Sequence, residues 1–235
     1  MAMTTCTFPF PLRPLLAALL LATPLLADDT RKADERLQDS ADFLNEIMSA
    51  PDRSIPQDLL NKAFCVVVIP GLKKGALIFG AKYGKGYAVC RAAEQGWGPP
   101  AAIRIEGGTA GFQAGFSSSD VILLVMNESG MKHLMKSKFT IGTDATAAIG
   151  PVGRNVTAQT DAMMRAEMLS WSRSHGVFAG VSVDGATLRG DTDENETLYH
   201  KRWTTKDILT SGAAPPPAAK PLLDTLTKFS MRREH

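Results

Sequence analysis

The sequence predicts an α+β fold: N-terminal helices, then a strongly bent antiparallel β-sheet or small barrel with short helices. Three observations carry that expectation. Apolar residues recur at three- and four-residue intervals through residues 28–48. Beyond Phe64 the texture changes to short β-type segments divided by glycines. Residues 121–126 are apolar throughout, as in a strand covered on both faces.

In the first helix Ala33, Leu37, Ala41, Leu44 and Met48 form the stripe, with acidic residues in the expected first turn. Residues 28–48 hold three basic and seven acidic side chains, a net charge of −4. A membrane-surface helix usually carries Lys and Arg on its polar face, so this one is expected to pack on the core. A second helix starts near Ser54, with Pro56 suited to the first turn, and runs to Ala63. Strands are expected at 64–69, 76–83, 86–91, 101–105, 111–116 and 121–126, with Gly84-Lys85 as a tight hairpin turn. Gly107, Gly108, Gly111 and Gly115 mark close strand packing. Residues 128–136 read as a helix, followed by strands at 139–142, 169–173 and 177–184. Residues 160–168 conflict, because propensity favours helix whereas the alternation continuing into Leu169, Trp171 and Arg173 favours strand. Helices at 196–203 and 206–209 close the domain. Residues 213–219, with three consecutive prolines, read as a semi-rigid linker before a flexible tail, in which Leu222, Leu223, Leu226 and Phe229 suit a brief amphipathic helix.

A chain of 235 residues, 44% of them apolar, is expected to form one domain with appendages. The expected divisions are a leader at 1–27, a domain at 28–211 with its helical lead-in at 28–63 and β-rich core at 64–211, and a linker and tail at 212–235. The leader is an apolar run at 15–27, preceded by Arg13 and too short to span a bilayer, so cleavage before Asp28 is expected. Export to a periplasm or the exterior follows, with peripheral membrane association as an option. Cys65 and Cys90, each in an expected strand, would then meet an oxidising compartment. Two readings stand: a staple between neighbouring strands, or two small buried apolar side chains.

No Gly-x-Ser-x-Gly elbow or Cys-x-x-Cys pair occurs, and His133, His175, His200 and His235 lack ligand spacing. No catalytic residue, metal or cofactor is therefore expected, and with a net charge of only +2 nucleic acid is not an expected partner. Residues 80–86 superficially resemble a phosphate loop but lack the Ser or Thr after the lysine, so a hairpin turn explains them better. Three glycosylation sequons begin at Asn127, Asn155 and Asn195 and matter only in a eukaryotic source.

Uneven charge is the best local evidence of function. Residues 53–91 carry seven basic side chains against Asp58, a net +6. Each Lys or Arg near an anionic membrane contributes about 1 kcal/mol. Lys73-Lys74 and Lys85 stand at opposite ends of one expected strand, roughly 30 Å apart at about 3.3 Å per residue, so a flat contact would use Lys73 and Lys74 alone. Arg154 follows Gly150-Pro151-Val152-Gly153, where the backbone can turn sharply, and its planar fork suits phosphate; Arg173 is its expected companion. The competing reading makes the lysines ordinary solvated charges and puts both arginines in internal ion pairs, with Asp144 or Asp184 as partners, or in hydrogen bonds to backbone carbonyls.

Gly150-Pro151-Val152-Gly153-Arg154 and Trp171-Ser172-Arg173-Ser174-His175-Gly176-Val177-Phe178-Ala179-Gly180 resemble the signature of the SYLF-domain family. The pattern continues upstream through Ile55-Pro56, Val68-Ile69-Pro70, Lys74-Gly75-Ala76, Gly84-Lys85-Gly86, Trp97-Gly98-Pro99-Pro100, Gly107-Gly108 and Gly111-Phe112-Gln113, so the resemblance covers residues 55–195. Trp171, His175 and Gly98 depart from the family's commoner Tyr, Lys or Arg, and Ser. The resemblance implies a phospholipid-binding module without catalysis, phosphoinositide-selective in eukaryotic members, some of which also bind actin. The expected function is recognition of anionic phospholipid headgroups at a membrane surface by Lys73, Lys74, Arg154 and Arg173, helped by apolar insertion from Leu72 or the tail. The alternative is an exported envelope scaffold that binds a protein partner through its N-terminal helix. Actin is hard to reconcile with export.

Overall fold

A computed structural model describes residues 23–50, 54–76, 79–92, 96–110, 115–152, 165–174, 177–180 and 182–230. Helix α1 (Thr23–Ser49) starts five residues before Asp28, so Asp28 and Asp29 lie beyond its first turn. Its expected stripe holds: Ala33, Leu37, Ala41 and Leu44 are buried, joined by Phe43 and Ile47. Helix α2 (Gln57–Lys62) follows, with Pro56 at the N-cap.

Ten strands form one curled sheet: β1 (Cys65–Ala76), β2 (Phe79–Ala92), β3 (Gly96–Trp97), β4 (Ala101–Ala110), β5 (Gly115–Val125), β6 (Lys138–Thr140), β7 (Ala147–Ile149), β8 (Met168–Ser174), β9 (Val177–Gly180) and β10 (Thr187–Gly190). Their order is β6-β10-β4-β2-β1-β5-β8-β7, with β3 added to β2 and β9 to β8. Among the described strands β7 and β8 pair in parallel and the other pairs are antiparallel, with one isolated parallel bridge between Ile141 and Ala145. The remaining described helices are α3 (Glu128–Leu134), α4 (Thr192–Tyr199), α5 (Thr205–Thr210) and α6 (Lys220–Phe229), the last preceded by a 3-10 turn at Pro217–Ala219. The expected α+β class, helix first and bent sheet after, is what the chain adopts.

Strand alternation divides the interior in two. Val66 and Val68 of β1 and Ile122 and Leu124 of β5 pack with Leu37 and Leu44 of α1. Val67, Ile69, Val121 and Leu123 face the other side, packed with Phe139, Ile141 and Leu188. The apolar run in β5 is therefore covered on both faces. Cys65 stands opposite Cys90 in the β1–β2 ladder, Cα to Cα 3.9 Å, and a disulfide joins them, which selects the staple reading.

Gly84-Lys85 is not a turn. Both residues lie inside β2, which pairs antiparallel with β1 out to Ala76 opposite Gly80. A Cβ on Gly84 would come within 2.9 Å of Ile69, and one on Gly86 within 2.0 Å of the Val68 carbonyl oxygen, so these glycines let two bent strands approach. Beside them β1 bulges. Ile69 pairs with Val121 and Leu72 with Ser119, so Pro70 and Gly71 together oppose Asp120. Gly71 takes φ +65° and its N–H donates to Asp120 Oδ1 at 2.8 Å. The bulge tolerates proline, which has no N–H to give a central ladder.

The later elements shift. The strand expected at 177–184 ends at Gly180, and β3, β7 and β10 are additional. The helix expected at 196–203 begins at Thr192, because the Asp191 side chain caps it by accepting from the Glu194 N–H. Met168 opens β8; residues 160–164 lie outside the described residues. The expected flexible tail is instead core: Ala219, Leu222 and Leu226 are fully buried in the cluster that holds Leu37 and Leu44 of α1, and Trp97 Nε1 donates to Ser230 Oγ at 2.7 Å. The proline run leads into α6 because an amphipathic helix finds an apolar partner only in three dimensions.

Candidate functional site

Directly opposed residues in a ladder share a face. At the end of the sheet where β1 passes into β2, Phe116, Gly75, Ala81 and Gly108 make one cross-strand row, and Ser118, Lys73, Tyr83 and Glu106 make the next. Both rows lie on the side that α1 covers further along. Here no described residue covers them: Phe116 is 90% exposed, Tyr83 45%, and Lys73 is exposed. The carboxylate of Glu106 is engaged by Arg189 at 3.2 Å and Arg104 at 3.9 Å.

Lys74, one residue on, must point to the opposite face, so the two adjacent lysines do not form one cluster. It stands opposite Lys82 and Ser117. Lys82 is only 9% exposed, and its Nζ donates to the Asp184 carbonyl at 3.2 Å. Burial, and then the like charge of Lys74, push its pKa down. Among the described residues Lys73, Lys74 and Lys82 make no ion pair with a carboxylate.

Lys85 is not 30 Å away. Because β1 and β2 pair as a hairpin, it lies two residues from Tyr83, which faces Lys73. Its charge is engaged, with Nζ 2.7 Å from Asp191 and 3.3 Å from Glu194. Arg91 is likewise held, donating to the Ala63 and Leu60 carbonyls over the Trp97 ring. The net +6 segment therefore does not make one basic surface.

Arg173 pairs with Asp120 at 2.5 Å and with Glu46, and its guanidinium lies 5.1 Å from the Phe43 ring centroid. It ties α1 to β5 and β8. The cleft of about 420 Å³ around it presents Glu35, Asp39, Asp42, Glu46 and Asp120 against Lys32, Arg36 and Arg173, a balance that disfavours an anion. The internal-pair reading describes Arg173, with Asp120 and Glu46 in place of Asp144 or Asp184. Arg154 lies outside the described residues. Leu72, Leu222 and Leu226 are buried and not free to insert into a bilayer; the exposed apolar groups at this end are Phe116 and Tyr83. Reading the sequence missed these two. A lone aromatic in Gly115-Phe116-Ser117-Ser118 was the available signal, but its partner Gly75 follows only from the register.

A second polar cluster resembles a catalytic set without being one. Glu167 accepts from Ser129 and from the Thr146 N–H at 3.1 Å, and contacts His133 Nδ1 at 3.1 Å. Ser129 bonds the carboxylate and not the imidazole, so the three do not line up as a serine–imidazole–carboxylate relay. Burial would raise the Glu167 pKa, but the hydrogen bonds from Ser129, Thr146 and His133 outweigh it and hold the carboxyl below its ordinary range. Such a group stabilises the fold above the unfolded-state value of about 4.3 and loses that contribution as pH falls through the lower folded value. Acid titration of the melting temperature is expected to be flatter below pH of about 4.3 in Glu167→Gln than in the parent. Identical slopes would show that the cluster contributes no linkage. Among the sequons, Asn195 is fully buried and accepts from the Ala102 N–H, and Asn127 caps α3; Asn155 lies outside the described residues.

A family model described as Ysc84, Las17-binding protein actin regulator, matches residues 106–229. The chain is 32% identical over 206 residues to LAS seventeen-binding protein 3 of Saccharomyces cerevisiae, covering 86% of this chain and 44% of that protein. It is 28% identical over 211 residues to SH3 domain-containing YSC84-like protein 1 of Homo sapiens, covering 89% and 61%. Protein YSC84 of Saccharomyces cerevisiae is 32% identical over 204 residues, covering 86% and 43%. The chain thus spans about half the length of the curated relatives it matches.

Proposed function

This chain belongs to the Ysc84 (SYLF) family, and on that premise we propose that it is a non-enzymatic module docking on anionic phospholipid headgroups at a membrane surface. The observation that carries the reading is the end of the sheet. There Lys73 projects from one face and Lys74, opposite Lys82, from the other, with no carboxylate of the described residues at ion-pair distance from any of them, Asp184 acting on Lys82 only from further off. Like charges opposed in a ladder destabilise it unless an anion intervenes, which a lipid phosphate would do. No helix among the described residues is long and apolar enough to cross a membrane. None of the relatives named above carries an enzyme name.

Co-sedimentation with phosphatidylserine vesicles tests the reading. Replacing Lys73 and Lys74 together by alanine is expected to weaken binding by about 2 kcal/mol, roughly thirtyfold, and salt is expected to weaken the parent. Equal binding to neutral vesicles at high salt would overturn it. Export through the leader at 1–27 is part of the same proposal, and N-terminal sequencing of the mature chain, expected to begin at Asp28, checks it. A chain so exported would not meet cytosolic actin.

A protein partner is a second proposal, favoured by relatives whose names refer to Las17 binding. Since the apolar stripe of α1 is core, only its charged side, with Asp34, Glu35 and Asp39 exposed, is available to such a partner.

A further inference from the structure

We propose that the projecting end of the sheet inserts into the bilayer, with Phe116 and Tyr83 entering the boundary between headgroups and acyl chains while Lys73 remains at the phosphates. The proposal rests on the lipid-binding reading and adds a penetrating contact to a purely electrostatic one.

Phe116 carries the argument. Its ring lies across Gly75, where a Cβ would approach it to 2.9 Å, and the other members of that row, Ala81 and Gly108, are equally small. Nothing in its own row rises to bury the ring, which stays 90% exposed. An aromatic side chain standing free beyond the helices loses hydration favourably only against an apolar phase outside the domain. Tyr83 sits in the neighbouring row with an apolar body and a polar tip, the type enriched at the membrane–water interface. Lys73 stands between Tyr83 and Ser118, and the one acid in the row, Glu106, is already paired. Aromatic groups flanked by an uncompensated cation complement an anionic bilayer, in which apolar penetration and phosphate attraction act in the same direction. A second copy of the same end would set lysine against lysine.

The test uses the whole chain and vesicles of equal parts phosphatidylcholine and phosphatidylserine. In Phe116→Trp the emission is expected to shift to the blue on vesicle addition and to be quenched by brominated acyl chains. The parent should show neither change, because Trp97 and Trp171 are buried and Trp203 half-buried. Phe116→Ser is expected to weaken partitioning roughly tenfold while leaving the melting temperature unchanged, as befits a ring outside the core. Unaltered Phe116→Trp emission on vesicles that do bind, with binding still lost in the Lys73 and Lys74 double variant, would overturn insertion and leave the electrostatic reading standing. Failure of the parent to sediment with these vesicles would overturn both.

Discussion

Replacing Gly86 by alanine is expected to destabilise the protein by about 3 kcal/mol or more, because the added methyl group meets backbone. Its Cβ would lie 2.0 Å from the Val68 carbonyl oxygen and 2.8 Å from the Ile69 Cα. A side chain in the way can change rotamer; a strand cannot move without losing ladder hydrogen bonds. Relief by bending is closed off too, since β1 already bulges at Pro70-Gly71, immediately beyond the contact. Gly108→Ala is the control. Its nearest neighbour would be 3.9 Å away, an ordinary contact, so stability should change little. Urea unfolding with unchanged m-values reads both variants. A loss below about 1 kcal/mol for Gly86→Ala would mean that the strands can separate at that point at little cost.

Glu194→Ala is expected to cost about 3–5 kcal/mol, the range for removing one partner from a buried charged cluster. The Glu194 carboxylate accepts from the Tyr87 hydroxyl at 2.5 Å and from Arg36, and lies 3.3 Å from Lys85. Burial first, and then the charge of Glu194, push the Tyr87 hydroxyl far above its ordinary range, so it stays a donor at any working pH. Without the carboxylate Arg36 loses its counter-charge, whereas Lys85 keeps Asp191 at 2.7 Å. Arg36 is on α1, Tyr87 and Lys85 on β2, and Glu194 on α4, so the cluster ties three elements together. Tyr87→Phe should cost less, about 2 kcal/mol, since it removes a hydroxyl shared between Glu194 and the Ala33 carbonyl but no charge. The two changes should not add, because they share a partner. Hydrogen exchange along α1 is expected to rise in Glu194→Ala before exchange in β1 and β5 does. A loss of less than about 1 kcal/mol would show that water replaces the carboxylate without penalty.

How much of this was legible beforehand depends on how far apart the interacting residues lie. The stripe on α1 and the doubly covered run in β5 follow from periodicity within single segments, and both are where the sequence places them. Gly84 and Gly86 were visible as special positions, but a glycine that permits a turn and one that permits two strands to touch look alike in one dimension. In the tail the amphipathic helix is where the sequence suggests it, but its docking was not legible, for a similar reason. Leu222 and Leu226 are an evident apolar pair, yet their burial depends on α1, which lies near the other end of the chain.

The candidate site was half legible. Lys73 and Lys74 stand together in the sequence but on opposite faces of β1, and Arg173 is bound by Asp120 and Glu46, the latter 127 residues distant in the chain. Phe116 drew no notice because its exposure comes from a row of small residues on three other strands.

The sequence by itself determined the fold class, the family and the positions of the basic residues, because local periodicity and short motifs survive without knowledge of contacts. Only the tertiary structure decided which cations remain free. Lys85 is neutralised by Glu194, 109 residues away, while Lys73, in the next row of the same hairpin, stands directly opposite Tyr83 and Ser118, and the acid of that row, Glu106, is taken by Arg189. The availability of a charge is set by what the fold brings against it, and in a curled sheet those partners come from distant segments.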